Sequence, residues 1–394
     1  MERNYSYYKN IFSDRQLPLA YIDLDLFDQN ARNILIRAGD KKIRVATKSV
    51  RCKPLLKRVL DSSPQYQGLM CFTIPEAVYL SSSGFNDLLV AYPTCQKPLI
   101  KLACEEIGKD KKVILMIDSL EHIHIHQEIA EQADVCLPVC LDIDMSSSFP
   151  GLHFGVRRSG IRSKNIACKL FEKIKNCSNL KLEGIMGYEA QIAGLGDNYP
   201  GQSFKNFMVK ALKSSSIKAK RRKEVVEGLN GMGAQLELVN GGGTGSLEST
   251  REEEVVTELT VGSGFYASAL FDNYSGFKHL PSAGYAIEVV RKPKPGIYTC
   301  HGGGYIASGS VASDKQPVPY LPSGARLTKN EGAGEVQTPI EYKGKTSLEL
   351  GDPIFMRHSK AGELCERFNT LLLIAEGKIA GEVRTYRGEG QCFL

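Results

Sequence analysis

The chain has 394 residues, of which 42% are apolar and 24% charged, with 38 glycines, 11 cysteines and a formal charge of +6. That length allows a large core and two domains, and the composition is that of an ordinary globular protein rather than a disordered or fibrous one. No apolar run reaches the ~18–20 residues needed to cross a bilayer, and the opening residues lack the apolar stretch of a secretory signal, so a soluble cytoplasmic protein is expected.

In chain order, residues 19–25 read as an early strand, and 27–37 as the first helix. Short runs rich in Val, Ile and Leu then alternate with amphipathic stretches. Strands are predicted over 43–48, 68–72, 87–92, 112–118, 135–143, 182–188, 236–240 and 256–261. Helices are predicted over 52–62, 75–83, 97–107, 120–132 and 166–177. Thr73 before Pro75 and Glu76, and Ser119 before Glu121, supply N-terminal helix chemistry. Near-continuous apolar strands are the pattern of a parallel sheet buried on both faces. Eight of them with intervening helices predict a (β/α)8 barrel over 27–274, with an open doubly wound sheet as the alternative. The basic run Lys218, Lys220, Arg221, Arg222 and Lys223 reads as a solvated helix face continued by Glu224 and Glu227.

After about residue 275 the texture changes. Alternating or β-branched runs at 286–291, 296–300, 340–342, 353–357, 370–376 and 378–386 are separated by Gly- and Pro-rich turns. They predict a mostly antiparallel β domain over 275–394. The odd number of cysteines, with no CxxC pair, argues against a disulfide framework or zinc ribbon and for reduced thiols.

Barrel enzymes carry their chemistry at the C-terminal ends of the strands. The first predicted strand ends in Thr47-Lys48-Ser49, and a lysine facing the barrel mouth is a candidate nucleophile. The fifth is followed by Arg157 and Arg158, either of which can face an anion. The sixth ends in Gly187-Tyr188-Glu189-Ala190-Gln191, from which Tyr188 and Gln191 are expected to reach the mouth. The seventh ends in Gly241-Gly242-Gly243-Thr244, where N–H groups and a hydroxyl can close on an anion. The eighth ends in Gly262-Ser263-Gly264. Phosphate binding after strands seven and eight is a recurring barrel device, and no GK[ST] follows to make a nucleotide P-loop. His122, His124 and His126 lie on a predicted outer helix. Their i,i+4 pair suits a metal, but an exposed polar face is the expected reading.

Together these pieces resemble the fold-type III pyridoxal phosphate (PLP) enzymes, and within them the D-threonine aldolase and D-serine dehydratase group. The markers are Pro-Leu-Ala-Tyr-Ile-Asp at 18–23, Thr-Lys at 47–48, Gly-Tyr-Glu at 187–189, Gly-Gly-Gly-Thr at 241–244, Gly-Ser at 262–263 and the late His358. The resemblance implies an alanine-racemase-like barrel joined to a β domain whose first strand comes from residues 1–26. It implies that Lys48 holds PLP as a Schiff base, and that Gly242, Gly243, Thr244, Ser263 and Gly264 hold its phosphate. Tyr188 would lie near the pyridine ring, and Arg158, in preference to Arg157, near the phenolate or the substrate. It further implies a zinc or manganese ion held by a histidine and a ligand two residues later. Here His358 is followed by Lys360, which is no ligand while protonated. Either Glu363 or Cys365 completes a rearranged site with His358, or no metal binds and the Lys360 ammonium takes the cation's place. The implied activity is a PLP-dependent lyase on a small β-hydroxy D-amino acid, an aldolase or a dehydratase, with Lys48, His358 and Lys360 as the catalytic set. An amino-acid racemase, for which the sequence offers no clear second base, and a non-catalytic PLP-binding protein are the alternatives. The resemblance implies a homodimer acting on a small molecule, with neither nucleic acid nor membrane as partner.

Overall fold

The structure, a computed structural model, describes residues 2–217, 220–309, 313–360 and 362–393. The chain divides into two units. One comprises residues 34–48, 57–262 and 393–394, and the other comprises 1–33, 49–56 and 263–392. Strand β1 (Leu19–Asp23) belongs to the second unit.

All eight predicted strands form, and they close a parallel barrel. They are β2 (Lys42–Ala46), β3 (Tyr66–Cys71), β4 (Leu88–Val90), β5 (Val113–Ile117), β6 (Leu137–Asp142), β9 (Leu180–Gly187), β10 (Leu238–Gly241) and β11 (Glu258–Val261). Every residue of β4, β5 and β11 is buried, which is why these segments read as unbroken apolar runs. Leu89, Ile114, Met116, Cys140, Met186 and Leu238 pack together in the barrel unit.

The ring closes where β11 pairs with β2, with Thr260 opposite Arg44. Arg44 is fully buried in the barrel unit. Its Nε lies 2.7 Å from Glu258, and its Nη1 lies 3.1 Å from Asp87. Asn240 Nδ2 also donates to Glu258, at 2.8 Å. A bulge between β2 and β3 makes room for the guanidinium. Gly68 stands there at φ +63, and a Cβ on it would meet Arg44 Nη1 at 2.4 Å. Glycine is thus required both by the backbone angle and by the arginine.

Elements that went unread between the barrel strands include a hairpin and a longer helix, besides the short helices Ala190–Ala193 and Leu247–Arg251. The hairpin β7 (Ser147–Phe149) with β8 (Leu152–Phe154) follows β6. It is too short, and too rich in serine, to show an apolar alternation. A helix over Ser203–Ile217 follows β9. On the helix Leu120–Gln132 the expectation of an exposed histidine face holds for His124 alone; His122 is half-buried, 3.0 Å from Asp118. His126 falls on the same face as Ile123, Ile129 and Ala130, and is buried with them. Burial lowers its imidazole to about 4.

In the second unit, β1 lies in the β sheet as the resemblance implies. It runs antiparallel to β12 (Ala283–Lys294) and parallel to β18 (Thr370–Ala375). The other strands are β13 (Ile297–His301), β14 (Val318–Leu321), β15 (Arg326–Leu327), β16 (Gln337–Glu341), β17 (Pro353–Arg357) and β19 (Lys378–Arg384). All their pairings are antiparallel. An unpredicted helix, Tyr5–Ile11, packs Tyr8 on Tyr21 and Phe355. No helix among the described residues is long and apolar enough to cross a membrane.

Removing one partner of a buried ion pair strands the other charge and costs about 3–5 kcal/mol. Arg44→Met is expected to lower the urea-unfolding free energy by about that much. The double variant with Glu258→Gln should lose less. A loss under about 1 kcal/mol for Arg44→Met would show that the network does not hold the barrel.

Candidate active site

Within the barrel unit the predicted residues converge at the strand ends. Lys48 follows β2 in a single 3-10 turn and is exposed. Its Nζ donates to the Tyr92 hydroxyl at 3.3 Å. Arg158 stands between two aromatic rings, 6.0 Å from the centre of Tyr92 and 5.9 Å from that of Tyr188. Stacking a guanidinium on rings in this way fixes its plane while leaving its N–H edge free for an anion. It favours Arg158 over its neighbour Arg157. Tyr188 follows β9, and burial pushes its phenol up to about 12, so the hydroxyl stays protonated at neutral pH.

A cleft at this end of the barrel is lined by Tyr92, Asp142, Arg158, Met186 and Tyr188, among others. Asp142 is the last residue of β6. Burial and the neighbouring Asp118 push its carboxyl up to about 7, against the pull of Arg158. Gln191 takes no place in this cleft. It is buried, and its Nε2 donates to the Met145 carbonyl at 2.7 Å.

The glycine loop after β10 forms a close cradle. Gly242 has φ +83, and a Cβ on Gly243 would lie 2.8 Å from Ala193 Cβ and 3.1 Å from Tyr188 Cε2. Thr244 is buried in the loop, and its carbonyl accepts from Arg37 Nη2 at 2.7 Å. Beneath it lies a network absent from the sequence reading. Arg222 is not part of a solvated face. It is fully buried and pairs with Glu189 at 2.9 Å, and also with Glu253. Lys220 and Lys223 remain exposed, and Lys218 lies outside the described residues.

The second unit holds the remaining candidates. Ser263, next to Gly262, lies with its Oγ 3.0 Å from that of Ser49. Gly264 follows in the short helix Ser263–Tyr266. The Tyr266 hydroxyl donates to the Val50 carbonyl at 2.8 Å, and its ring meets the His358 ring edge-on, with centres 6.1 Å apart. His358 is buried, and neither ring nitrogen has a hydrogen-bond partner among the described residues. Burial, reinforced by Arg357, lowers its imidazole to about 3, so the ring is neutral.

The metal expectation finds little support around His358. Cys365 donates its thiol to the Val50 carbonyl at 3.3 Å, and burial pushes it up to about 12, away from the thiolate that ligates. Glu363 accepts from the Ser308 N–H and hydroxyl at 3.2 and 2.7 Å. Lys360 donates to the Ser308 carbonyl at 3.4 Å. Among the described residues no group of three or more His, Cys, Asp or Glu is placed to hold a metal. The donor set does not fit a resident divalent ion. The glycine cradle, Lys48, Arg158 and Tyr188 do fit a phosphorylated pyridine aldehyde.

Tyr92 and Asp142 were legible in principle. Both stand at the ends of predicted strands, where barrel chemistry gathers. Arg222 offered no such signal, because its run of cations looks like surface.

The profile of the alanine racemase N-terminal domain matches residues 22–268. A 3-hydroxy-D-aspartate aldolase of Paracoccus denitrificans (strain Pd 1222) is 23% identical over 258 residues, which are 65% of this chain and 62% of that protein. The chain thus aligns with under two thirds of that relative's length. Among solved structures, the D-threonine aldolase of Filomicrobium marinum superposes with a TM-score of 0.80 at 17% identity, covering 97% of each chain. The D-threo-3-hydroxyaspartate dehydratase of Delftia sp. HT23 gives 0.74 at 17% identity, covering 94% of this chain and 98% of that one. At such identities the structural likeness shows the fold, a barrel joined to a mostly antiparallel sheet.

Asp142 yields a pH prediction. Its carboxyl is raised from 3.8 to about 7. Between those values the unfolded chain releases a proton that the folded chain keeps. Its contribution to stability therefore falls as pH rises through that window and is lowest above it. Asp142→Asn should flatten that part of the stability profile, measured by urea midpoints at a series of pH values. Parallel profiles for the two proteins would overturn the assignment.

Proposed function

We propose that this chain, which belongs to the alanine racemase N-terminal domain family, is a PLP-dependent lyase acting on small β-hydroxy D-amino acids. The observation that carries this reading is the cluster at the barrel strand ends. A lysine amine, a guanidinium held between two tyrosine rings and a glycine cradle stand together there. The choice of substrate is supported by the names of its relatives, a 3-hydroxy-D-aspartate aldolase and a D-threonine aldolase.

Lys48 would hold the cofactor covalently, and Thr244, carried by the glycine loop that begins at Gly242, would take its phosphate. When bound, PLP supplies an electron sink at the substrate's Cα. Tyr188 would offer a neutral hydroxyl to the cofactor ring. Arg158 would offer its N–H groups to the phenolate or the substrate. The Lys48 amine would serve as the base for the Cα proton in a dehydration. His358, whose ring nitrogens have no hydrogen-bond partner among the described residues, would act on the β-hydroxyl in a retro-aldol cleavage. Dehydration relies more heavily on a Lewis acid to help hydroxide leave. The donors around His358 do not supply one, which favours the aldolase route.

Two measurements test the reading. Borohydride treatment of purified protein, followed by peptide mapping, should place a pyridoxyl group on Lys48. Its absence there would sink the cofactor assignment. D-threonine and D-threo-3-hydroxyaspartate should release an aldehyde or glyoxylate, with the rate unchanged after dialysis against a chelator. Stoichiometric zinc or manganese whose removal abolishes turnover would refute the metal-free route, and racemisation without cleavage or ammonia release would refute the lyase reading.

A further inference from the structure

Arg222 is the most deeply buried cation near the glycine loop, and nothing in the proposed chemistry uses it. It rises from the helix Arg221–Gly231 and is fully buried. One amino group, Nη2, donates to the Gly187 carbonyl at 2.7 Å and to Glu189 Oε2 at 2.9 Å. The other, Nη1, pairs with Glu253. Arg222 threads between the ends of β9 and β10. A Cβ on Gly187 would lie 3.2 Å from its Nε, and one on Gly241 would lie 2.7 Å from its Nη2.

Glu189 in turn holds the loop from below. Its carboxylate accepts the Gly242 N–H at 3.3 Å, the Ser246 hydroxyl at 3.4 Å and the Thr250 hydroxyl. Ser246 Oγ accepts the Gly243 N–H at 3.1 Å. The first two N–H groups of the loop are therefore turned inward. They anchor it rather than greet a ligand.

This arrangement places a buried carboxylate directly beneath a loop suited to an anion. Unpaired, it would repel a phosphate strongly, because charges interact far more at low dielectric than in water. We propose that the Arg222–Glu189 pair is a positioning device for the phosphate end of the cofactor. Glu189 fixes the loop so that Thr244 meets the phosphate, and Arg222, which it shares with Glu253, offsets part of the carboxylate's charge. Neither side chain touches the cofactor. The inference rests on the PLP reading above.

The test compares apparent Kd values for PLP and for pyridoxal, which lacks the phosphate, in the full chain. Arg222→Met should weaken PLP about tenfold or more, while pyridoxal changes by less than roughly twofold. Adding Glu189→Gln to that variant removes the stranded charge and should restore most of the PLP affinity. If Arg222→Met does not fold, Ser246→Ala leaves every charge in place and loosens the Gly243 anchor. It should weaken PLP about threefold and spare pyridoxal. Unchanged PLP binding in a folded Arg222→Met or Ser246→Ala variant would overturn the proposal. So would an equal loss for both ligands, or a double variant no better than Arg222→Met. A wild-type chain that binds PLP with no adduct on Lys48 would overturn the underlying reading as well, which separates the two failures.

Discussion

The barrel depends on how its ring is closed. β11 and β2 are separated by more than two hundred residues of chain, yet they must pair in one register for any strand end to lie where it does. Arg44 makes that register specific. It joins Glu258 on one side of the seam and Asp87 before β4, while Asn240 from β10 shares Glu258. A slip of one residue would turn the guanidinium to the other face and strand two buried charges, those of Arg44 and Glu258. An apolar seam would tolerate neighbouring registers more easily. The charged one admits a single solution, and the bulge at Gly68 exists to accommodate it.

A second buried arginine governs the other end of the same strands. Arg44 fixes which residues face each other, and Arg222 fixes how the backbone leaves β9 and β10. The two differ in their electrostatic task. The Arg44 network serves closure alone. The Arg222 network lies under a loop shaped for an anion, so the charge that Arg222 offsets there matters for what can approach. In the β-domain unit the polar groups follow another pattern. His358 has no hydrogen-bond partner among the described residues, whereas Cys365 and Glu363 are occupied by Val50 and Ser308. A single imidazole makes a poor cage for a metal ion.

Much of this fold was legible because its strands are buried on both faces. That gives short unbroken apolar runs, and the eight runs became the eight barrel strands. The β1 strand was recognisable as a stray, and its pairing with β12 and β18 shows why. Elements lacking an apolar period stayed hidden, such as the serine-rich hairpin after β6 and the helix Tyr5–Ile11. At the strand ends the rule of barrel chemistry found Lys48, Tyr188 and the glycine loop. It passed over Tyr92 and Asp142, which occupy the same kind of position. Side chains that act from below escaped altogether. Arg222 sits between Lys220 and Lys223, which do face solvent, and His126 is the buried member of a row of three histidines of which His124 alone is exposed. Sequence spacing shows neighbours along the chain, whereas burial depends on which neighbour faces the sheet.

The path of Arg222 between two strand ends has a consequence for how such sequences diverge. Gly241 is held to glycine first by the arginine's passage, 2.7 Å from where a Cβ would stand, whereas Gly187 is crowded by Met145 at 3.0 Å as well as by Arg222 at 3.2 Å. A lineage that replaced Arg222 with a small residue would ease position 241 toward carrying a side chain, while Met145 would still press on position 187. Positions 222 and 241 are therefore the pair expected to covary among close homologues, alongside the charge at 189.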